Sequence, residues 1–400
     1  MASDKQDKVL NVPTLRFPEF TDKWKECELQ DVASISKGAG ISKDQLSNTG
    51  EPCILYGELY TKYKSEVITD VLSKTDIETA NLVRSKANDV IIPSSGETAI
   101  DISTARCVPF DNILLGGDLN ILRLKEQDGR FFSYQLNGVR KLDIAQIAQG
   151  VSVVHLYGES LKRLKVRYPS RSEQEKISSL LASIDERITT QSRVIEDLKL
   201  YRNTLMLKLF APKDGWAKTY IGDIASVVGG GTPDTNKKDY WDGNIQWFTP
   251  SEIGKDKYVM NSERTITQKG LDSSSAKLLP ANSILLSTRA TIGECSIAKQ
   301  ECCTNQGFQS LIAQGVNPEF LYYLIQTKKH DLLSKSCGST FAEISANEVR
   351  KIVVHIPLTR KEQDIITIPL SLCDKKIEIE QTIQNLYLTQ KQYLLKALFV

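Results

Sequence analysis

The 400-residue sequence states its plan twice, and that duplication limits what the chain can fold into more than any other feature. A tryptophan opens each half: Trp24 leads to Leu29-Gln30-Asp31-Val32-Ala33-Ser34, and Trp216 to Ile221-Gly222-Asp223-Ile224-Ala225-Ser226. A strand-like run entered through asparagine follows, Asn88 to Ser95 in one half and Asn282 to Arg289 in the other. Gly150-Val151-Ser152-Val153 answers Gly338-Ser339-Thr340-Phe341, and each half then offers a strand ending in proline, Leu164–Pro169 and Ile352–Pro357. Agreement at so many points in one order marks a repeated unit.

After each proline the pattern turns helical. Ser170 with Glu173, and Thr359 with Glu362, have the spacing of capping boxes, in which a hydroxyl and a carboxylate each satisfy a free amide. Behind the first run Ile177, Leu181, Ile184, Ile188, Ile195, Leu198, Leu205 and Leu209. Behind the second run Ile366, Leu370, Cys373, Ile377, Tyr387, Leu394 and Leu398. The spacing alternates between four and three, the period of a helix packed along a partner helix. Each helix, about 39 residues at about 1.5 Å per residue, would be about 58 Å long. Neither buries its stripe alone, so the pattern predicts that they pair with each other, antiparallel, as a spacer with one irregular domain at each end and an approximate two-fold axis. Gln191 and Glu380 interrupt the stripes at matching places, either to fix register or as a solvated irregularity in the seam.

The predicted fold class is therefore α+β: two globular domains separated by two long antiparallel coiled-coil helices. The predicted boundaries are a flexible tail at 1–14, a first domain at 15–169, a central helix at 170–212, a second domain at 213–357 and a terminal helix at 358–400. Pro212 and Gly215 stop the central helix. No window approaches the run of about eighteen apolar residues that a membrane span needs. The polar, mixed-charge start resembles no leader. The eight cysteines form no C-x-x-C pair, as expected of reduced thiols in the cytoplasm.

Enzyme motifs are missing. There is no Pro-Pro dipeptide to carry an amino-methylation motif, and Gly229-Gly230-Gly231 runs into Thr232-Pro233 where a cofactor-cradling helix would start. Gly254-Lys255 is followed by Asp256, which rules out a phosphate-binding loop. The three histidines show no zinc spacing, so neither a metal site nor catalytic residues are expected. His155 and His355 flank repeat strands and are read as structural.

The remaining signals suit nucleic acid. Basic residues cluster where each domain meets its helix: Lys162, Arg163, Lys165, Arg167 and Arg171, then Arg350, Lys351, Arg360 and Lys361. Such groups either contact phosphates or guard a solvated strand edge. Lys37, Gly38 and Lys43 in the first half, and Gly230, Thr232, Lys237 and Lys238 before Tyr240 and Trp241 in the second, place lysines beside glycines or in turns. Ser94, Ser95, Ser287, Thr288, Arg289, Gln306, Ser339 and Thr340 carry side chains of the kind that read base edges. The formal net charge is only +2, lower than a dedicated DNA-binding domain usually has.

Several of these runs resemble one family. Gly230–Pro233, Tyr240–Ile253, Ser287–Gly293, Asn305–Phe308, Gly338–Thr340, Ile356-Pro357 and Glu362-Gln363 are similar to the target-recognition domains of type I restriction–modification specificity subunits. The first half carries a variant in Ile92–Thr98, Leu115–Asn120 and Glu173-Gln174, and Leu15–Phe20 with Trp24 resembles the usual opening. The resemblance implies that each domain reads one half of a bipartite double-stranded DNA site. It also implies two modification subunits that methylate adenine with S-adenosylmethionine, two ATP- and Mg-dependent restriction subunits, no membrane partner, and a non-catalytic reader without cofactor of its own. The two domains differ greatly, so they are expected to read different half-sites. A stand-alone DNA-binding regulator and a divergent DNA methyltransferase remain the alternatives.

Overall fold

Each repeat strand starts at its asparagine for a backbone reason. In the computed structural model, which describes residues 12–78, 81–289, 291–336 and 343–400, Asn88 and Asn282 take φ values of 81° and 68°. Asparagine tolerates this left-handed region because its short amide bonds locally. The Asn88 amide does so at both ends, donating to the Gln127 carbonyl at 2.8 Å and accepting from the Gly129 amide at 2.6 Å.

In the first domain the buried strand that follows belongs to a four-stranded antiparallel sheet. Its strands are β1 (Ala33–Lys37), β2 (Asp89–Pro93), β3 (Arg106–Val108) and β4 (Leu119–Leu124), in the order β1-β4-β2-β3. The second domain repeats that order with β5 (Ala225–Gly229), β6 (Tyr258–Val259), β7 (Ile284–Leu286), β8 (Cys295–Ala298) and β9 (Gln309–Ala313), arranged β5-β9-β7-β8-β6. The fifth strand, β6, runs parallel to β8, and in the first domain a single parallel bridge from Val67 to Cys107 stands in its place. The strands ending in proline are also matched: Lys165–Tyr168 pairs with Lys25–Glu28, and Val353–Ile356 with Ala217–Tyr220.

Four helices complete the repeat: α1 (Gly129–Asn137), α2 (Arg171–Leu209), α3 (Pro318–Thr327) and α4 (Arg360–Ala397). The chain divides into two compact units, Met1–Ser192 with Thr382–Val400, and Arg193–Gln381. Each unit holds one domain, the near half of one long helix and the far half of the other, so the long helices run antiparallel within each unit. In the first, Ile177, Leu181 and Ile184 share a core with Leu394 and Leu398; in the second, Met206 and Phe210 share one with Ile366 and Leu370. The predicted stripe is therefore buried, with Ile377 buried and Ile188, Leu198 and Leu205 half-buried. Its partners include more than the opposite helix. Trp24 and Phe131 of the first domain, and Phe320 and Tyr323 of the second, pack into the same seams. The helix continues through Pro369, where a missing amide would ordinarily break it; Ile366 and Leu370 on either side are buried and hold it in place.

Polar contacts repeat with the same offset as the cores. Asp128 and Asn317 cap α1 and α3, each accepting from an amide two residues on. Their own amides donate to Gln174 and Gln363, at 3.0 and 2.8 Å, from the first turns of the long helices. The Tyr134 hydroxyl donates to Asp185 at 2.7 Å, and Tyr323 donates to Asp374. A cation from the opposite long helix completes each latch: Lys391 reaches Asp185 at 2.6 Å and Arg202 reaches Asp374 at 2.7 Å. In the first latch Lys391 also pairs with a second carboxylate, Glu66.

The capping boxes form only in part. The Glu173 amide donates to Ser170 at 3.4 Å, but the Glu173 carboxylate turns to Arg16, at 2.7 and 2.8 Å, and to the Trp24 indole at 3.4 Å. An arginine competes for that carboxylate better than a lone backbone amide does. Glu362 accepts from the Thr359 hydroxyl at 2.9 Å.

In the second unit Glu319 joins β6, α3 and α4 by accepting from Lys257 at 2.8 Å, the Tyr258 hydroxyl at 2.5 Å and Ser371 at 2.6 Å. Burial alone would push its carboxyl up, but these three donors hold it at about 2 against an ordinary 4.5. A carboxylate with a depressed folded-state value contributes stability above its unfolded value and loses it as pH falls towards the folded one. The unfolding midpoint of wild type is therefore expected to fall more steeply between pH 4.5 and about 2 than that of Glu319→Gln. Parallel slopes for the two proteins in thermal melts would refute this role.

Candidate nucleic-acid interface

Hydrogen bonding gathers most of the expected loop residues at one end of each sheet. In the first domain Lys37 ends β1 opposite Asn120, the Gly38 amide donates to the Leu119 carbonyl at 3.0 Å, and the Ser94 amide donates to the Asp118 carbonyl at 2.7 Å. Ser95 then pairs with His155. In the second domain Gly229 pairs with Gln309, the Gly231 amide donates to the Thr304 carbonyl at 2.9 Å, and the Thr288 amide donates to the Gly307 carbonyl at 2.8 Å. Arg289 pairs with Glu343 both as a bridge in the backbone and as an ion pair at 2.8 Å. Each rim thus joins four segments that lie far apart in sequence.

The hydroxyls expected at loop tips are instead internal. Ser94, Ser95, Ser287 and Thr288 are buried. The Ser287 hydroxyl donates to the Arg289 carbonyl at 2.9 Å and that of Thr288 to the Gly307 carbonyl at 3.1 Å. These groups hold the rim in shape rather than face outward. Tyr240 and Trp241 are buried too: Trp241 meets Trp247 edge-on at 5.1 Å, and the Arg264 guanidinium covers its ring at 3.5 Å. Gln306 is exposed on the second rim, with half-buried Thr232 donating to it at 2.5 Å; Lys237 and Lys238 are exposed as well, Lys237 donating to the Tyr240 hydroxyl at 3.2 Å. In the first domain Lys37 is exposed on the rim, and Lys43 is exposed at the start of the short helix Lys43–Gln45. Ser339 and Thr340 lie outside the described residues.

The glycines serve the rim itself. A Cβ on Gly38 would stand 2.0 Å from the Gly116 carbonyl oxygen, and one on Gly230 would stand 2.1 Å from that of Asn305. Gly230→Ala must displace backbone at Thr304 and Asn305, just after the strand Cys302–Thr304. It is expected to cost about 1–3 kcal/mol, visible as a lower unfolding midpoint; an unchanged midpoint would mean that the rim yields without strain.

Lys162 and Arg163 do not join the rim. Lys162 ends the helix Gly158–Lys162 and Arg163 follows it, next to Leu164, whose carbonyl accepts from the Leu29 amide. Cations there have carboxylate partners: Lys162 with Glu159, Arg167 with Glu26, and Arg171 with Glu175. In the other repeat Lys351 pairs with Glu348, while Arg350 donates to the Val227 carbonyl. Such exposed pairs are worth about 0–1 kcal/mol, so a phosphate can displace them. A cavity of about 1030 Å³ in the second unit, lined by Arg202, Lys257, Asp374 and Lys375 among others, contains none of the expected DNA-binding residues, although Ile377 of the helical stripe borders it. Among the described residues no group of three or more His, Cys, Asp or Glu is arranged to hold a metal ion, and no helix is long and apolar enough to cross a membrane.

Sequence reading missed an outward row on the first rim, Val151, Val153, His155 and Tyr157, all exposed. His155 is no buried structural group; its ring stacks on Tyr157 at 6.2 Å. From Val153 onward the exposed residues alternate with buried Val154 and Leu156.

Comparison with known proteins places this architecture. The family described as type I restriction modification DNA specificity domain matches twice, over residues 21–200 and 213–386. The MjaIX specificity subunit of Methanocaldococcus jannaschii is 41% identical over 172 residues, which cover 42% of this chain and 39% of that protein. The EcoR124I/EcoR124II specificity subunit of Escherichia coli is 30% identical over 186 residues, 43% of this chain and 45% of the relative, so the chain matches less than half the length of either. The putative MjaX specificity subunit of M. jannaschii is 23% identical over 402 residues, 93% of this chain and 91% of its own. A solved type I restriction–modification S subunit from M. genitalium has the same fold, with a TM-score of 0.62 at 16% identity over 97% of this chain and 99% of that one. With two copies of the family's domain over most of its length, the chain belongs to the type I restriction modification DNA specificity family.

Proposed function

We propose that this chain is the DNA-reading subunit of a type I restriction–modification complex, each rim contacting one half of a bipartite site. The observation that carries this reading is the repetition of one rim on two sheets of the same order with different exposed side chains. A repeated frame with unlike tips is what an asymmetric, split target requires, because the frame positions and the tips discriminate. The chain itself is non-catalytic and carries no cofactor. Two modification subunits supply S-adenosylmethionine and methylate adenine in each half-site; two restriction subunits add ATP- and Mg-dependent cleavage, all in the cytoplasm.

An exposed apolar row on α4, Ile365, Ile368, Leu372, Ile379, Leu386 and Tyr393, supports helix-to-helix docking of the modification subunits. The modest net charge fits as well, since partners that wrap the DNA share the phosphate contacts. Selection of random duplexes tests the reading. The chain with modification subunits is expected to enrich one split motif, and the isolated chain none. Enrichment of that motif by the isolated chain would favour a stand-alone regulator. Calorimetric binding of S-adenosylmethionine by the isolated chain would favour a methyltransferase.

A further inference from the structure

One segment of the first rim is built to push apolar groups outward. Gln149 and His155 pair by two backbone hydrogen bonds, of 2.9 and 2.7 Å, closing a tight loop between them. Gly150 takes φ 123°, and a Cβ there would stand 2.1 Å from the Val153 carbonyl oxygen, so no other residue fits without moving the loop. The base is fixed: Ser95 pairs with His155, the Leu156 amide donates to the Ser94 carbonyl at 2.9 Å, and Val154 and Leu156 are buried. Outward stand Val151, 97% exposed, and Val153, 53% exposed, then the stacked His155 and Tyr157. Gly158, next along, lies beside β1 and β4: a Cβ there would stand 3.4 Å from Ile35 and 3.6 Å from Asn120, the residue paired with Lys37. The row therefore continues the rim that carries the exposed Lys37.

We propose that the row Val151, Val153, His155 and Tyr157 reads a thymine-containing half-site in the major groove, the valines seating a thymine C5-methyl group; this rests on the DNA-reading function above. The occupant is argued from charge and shape. Lys37 on the same rim attracts a polyanion, and a rigid narrow loop with apolar tips enters a groove and contacts the one apolar group that base edges offer there. The second domain sets Arg289 and Glu343 at the positions of Ser95 and His155. At that one bridge an ion pair stands where the first domain has serine and histidine.

The test uses the complex of this chain with modification subunits, on duplexes carrying the mapped motif with each thymine replaced in turn by deoxyuridine. Wild type is expected to bind about four-fold more weakly when one particular thymine in one half-site loses its methyl group. The Val151→Ser, Val153→Ser double variant, whose altered side chains are exposed and whose fold is checked by its unfolding midpoint, is expected to show less than about a two-fold response to that replacement. Equal responses in wild type and variant overturn the proposal while leaving the reading function intact. So does a variant that keeps the motif but releases the modification subunits, which would make the row a protein contact. A wild-type complex with no motif overturns the reading function itself.

Discussion

Lys391→Met is expected to destabilise the first unit by about 3–5 kcal/mol, because it takes from two buried carboxylates the ammonium that pairs with both. Asp185 and Glu66 are 8% and 7% exposed, and the Lys391 ammonium pairs with both. Methionine keeps the length and apolar stem, so the loss is one of charge rather than of volume. Burial pushes the Asp185 carboxyl up, and Lys391 opposes it. Without the ammonium the folded state binds protons more tightly than the unfolded one, so the deficit is expected to shrink as pH falls and the carboxyls protonate. Denaturant unfolding of both proteins at pH 7 and pH 5 measures this. A deficit under about 1 kcal/mol at pH 7 would show that solvent already screens the cluster. The equivalent change in the second unit, Arg202→Met, faces the single carboxylate Asp374 and is expected to cost less.

Trp24→Ala is expected to cost a comparable amount, about 3–5 kcal/mol, through lost burial and the cavity left behind. The indole is 2% exposed and packs on Phe131 at 5.6 Å and Phe399 at 6.4 Å, so it joins the start of the domain to α1 and to the end of the chain. Its N–H also donates to Glu173, which Arg16 shares. Hydrogen exchange should report the consequence locally: segment 382–400 is expected to lose protection before α1 does. Uniform loss across the unit would mean that the tryptophan supports the whole core evenly.

Much of this was legible because the duplication printed the same answer twice. The asparagines that start core strands, the proline-terminated strands and the helical stripes were each visible as pairs, and a pair resists chance agreement better than a single motif. The Tyr134–Asp185–Lys391 and Tyr323–Asp374–Arg202 latches were not legible. A carboxylate within a seam reads as a surface residue until a partner from a distant helix neutralises it. Glu173 had the spacing of a capping box, yet Arg16, remote in sequence, took its carboxylate. The hydroxyls at 94, 95, 287 and 288 read as loop tips because polarity was taken as exposure, whereas the rim is closed by their backbone and side-chain hydrogen bonds. The row from Val151 to Tyr157 showed in the sequence only as part of the repeat; the burial of Val154 and Leu156 is what turns Val153, His155 and Tyr157 outward.

The central claim is that this chain chooses the DNA sequence on which partners act. Single-molecule methylome sequencing of a host expressing a type I modification subunit, with and without this chain, tests it most directly. The account predicts a new split adenine-methylation motif that appears only when the chain is present. An assembled complex that adds no motif would contradict it.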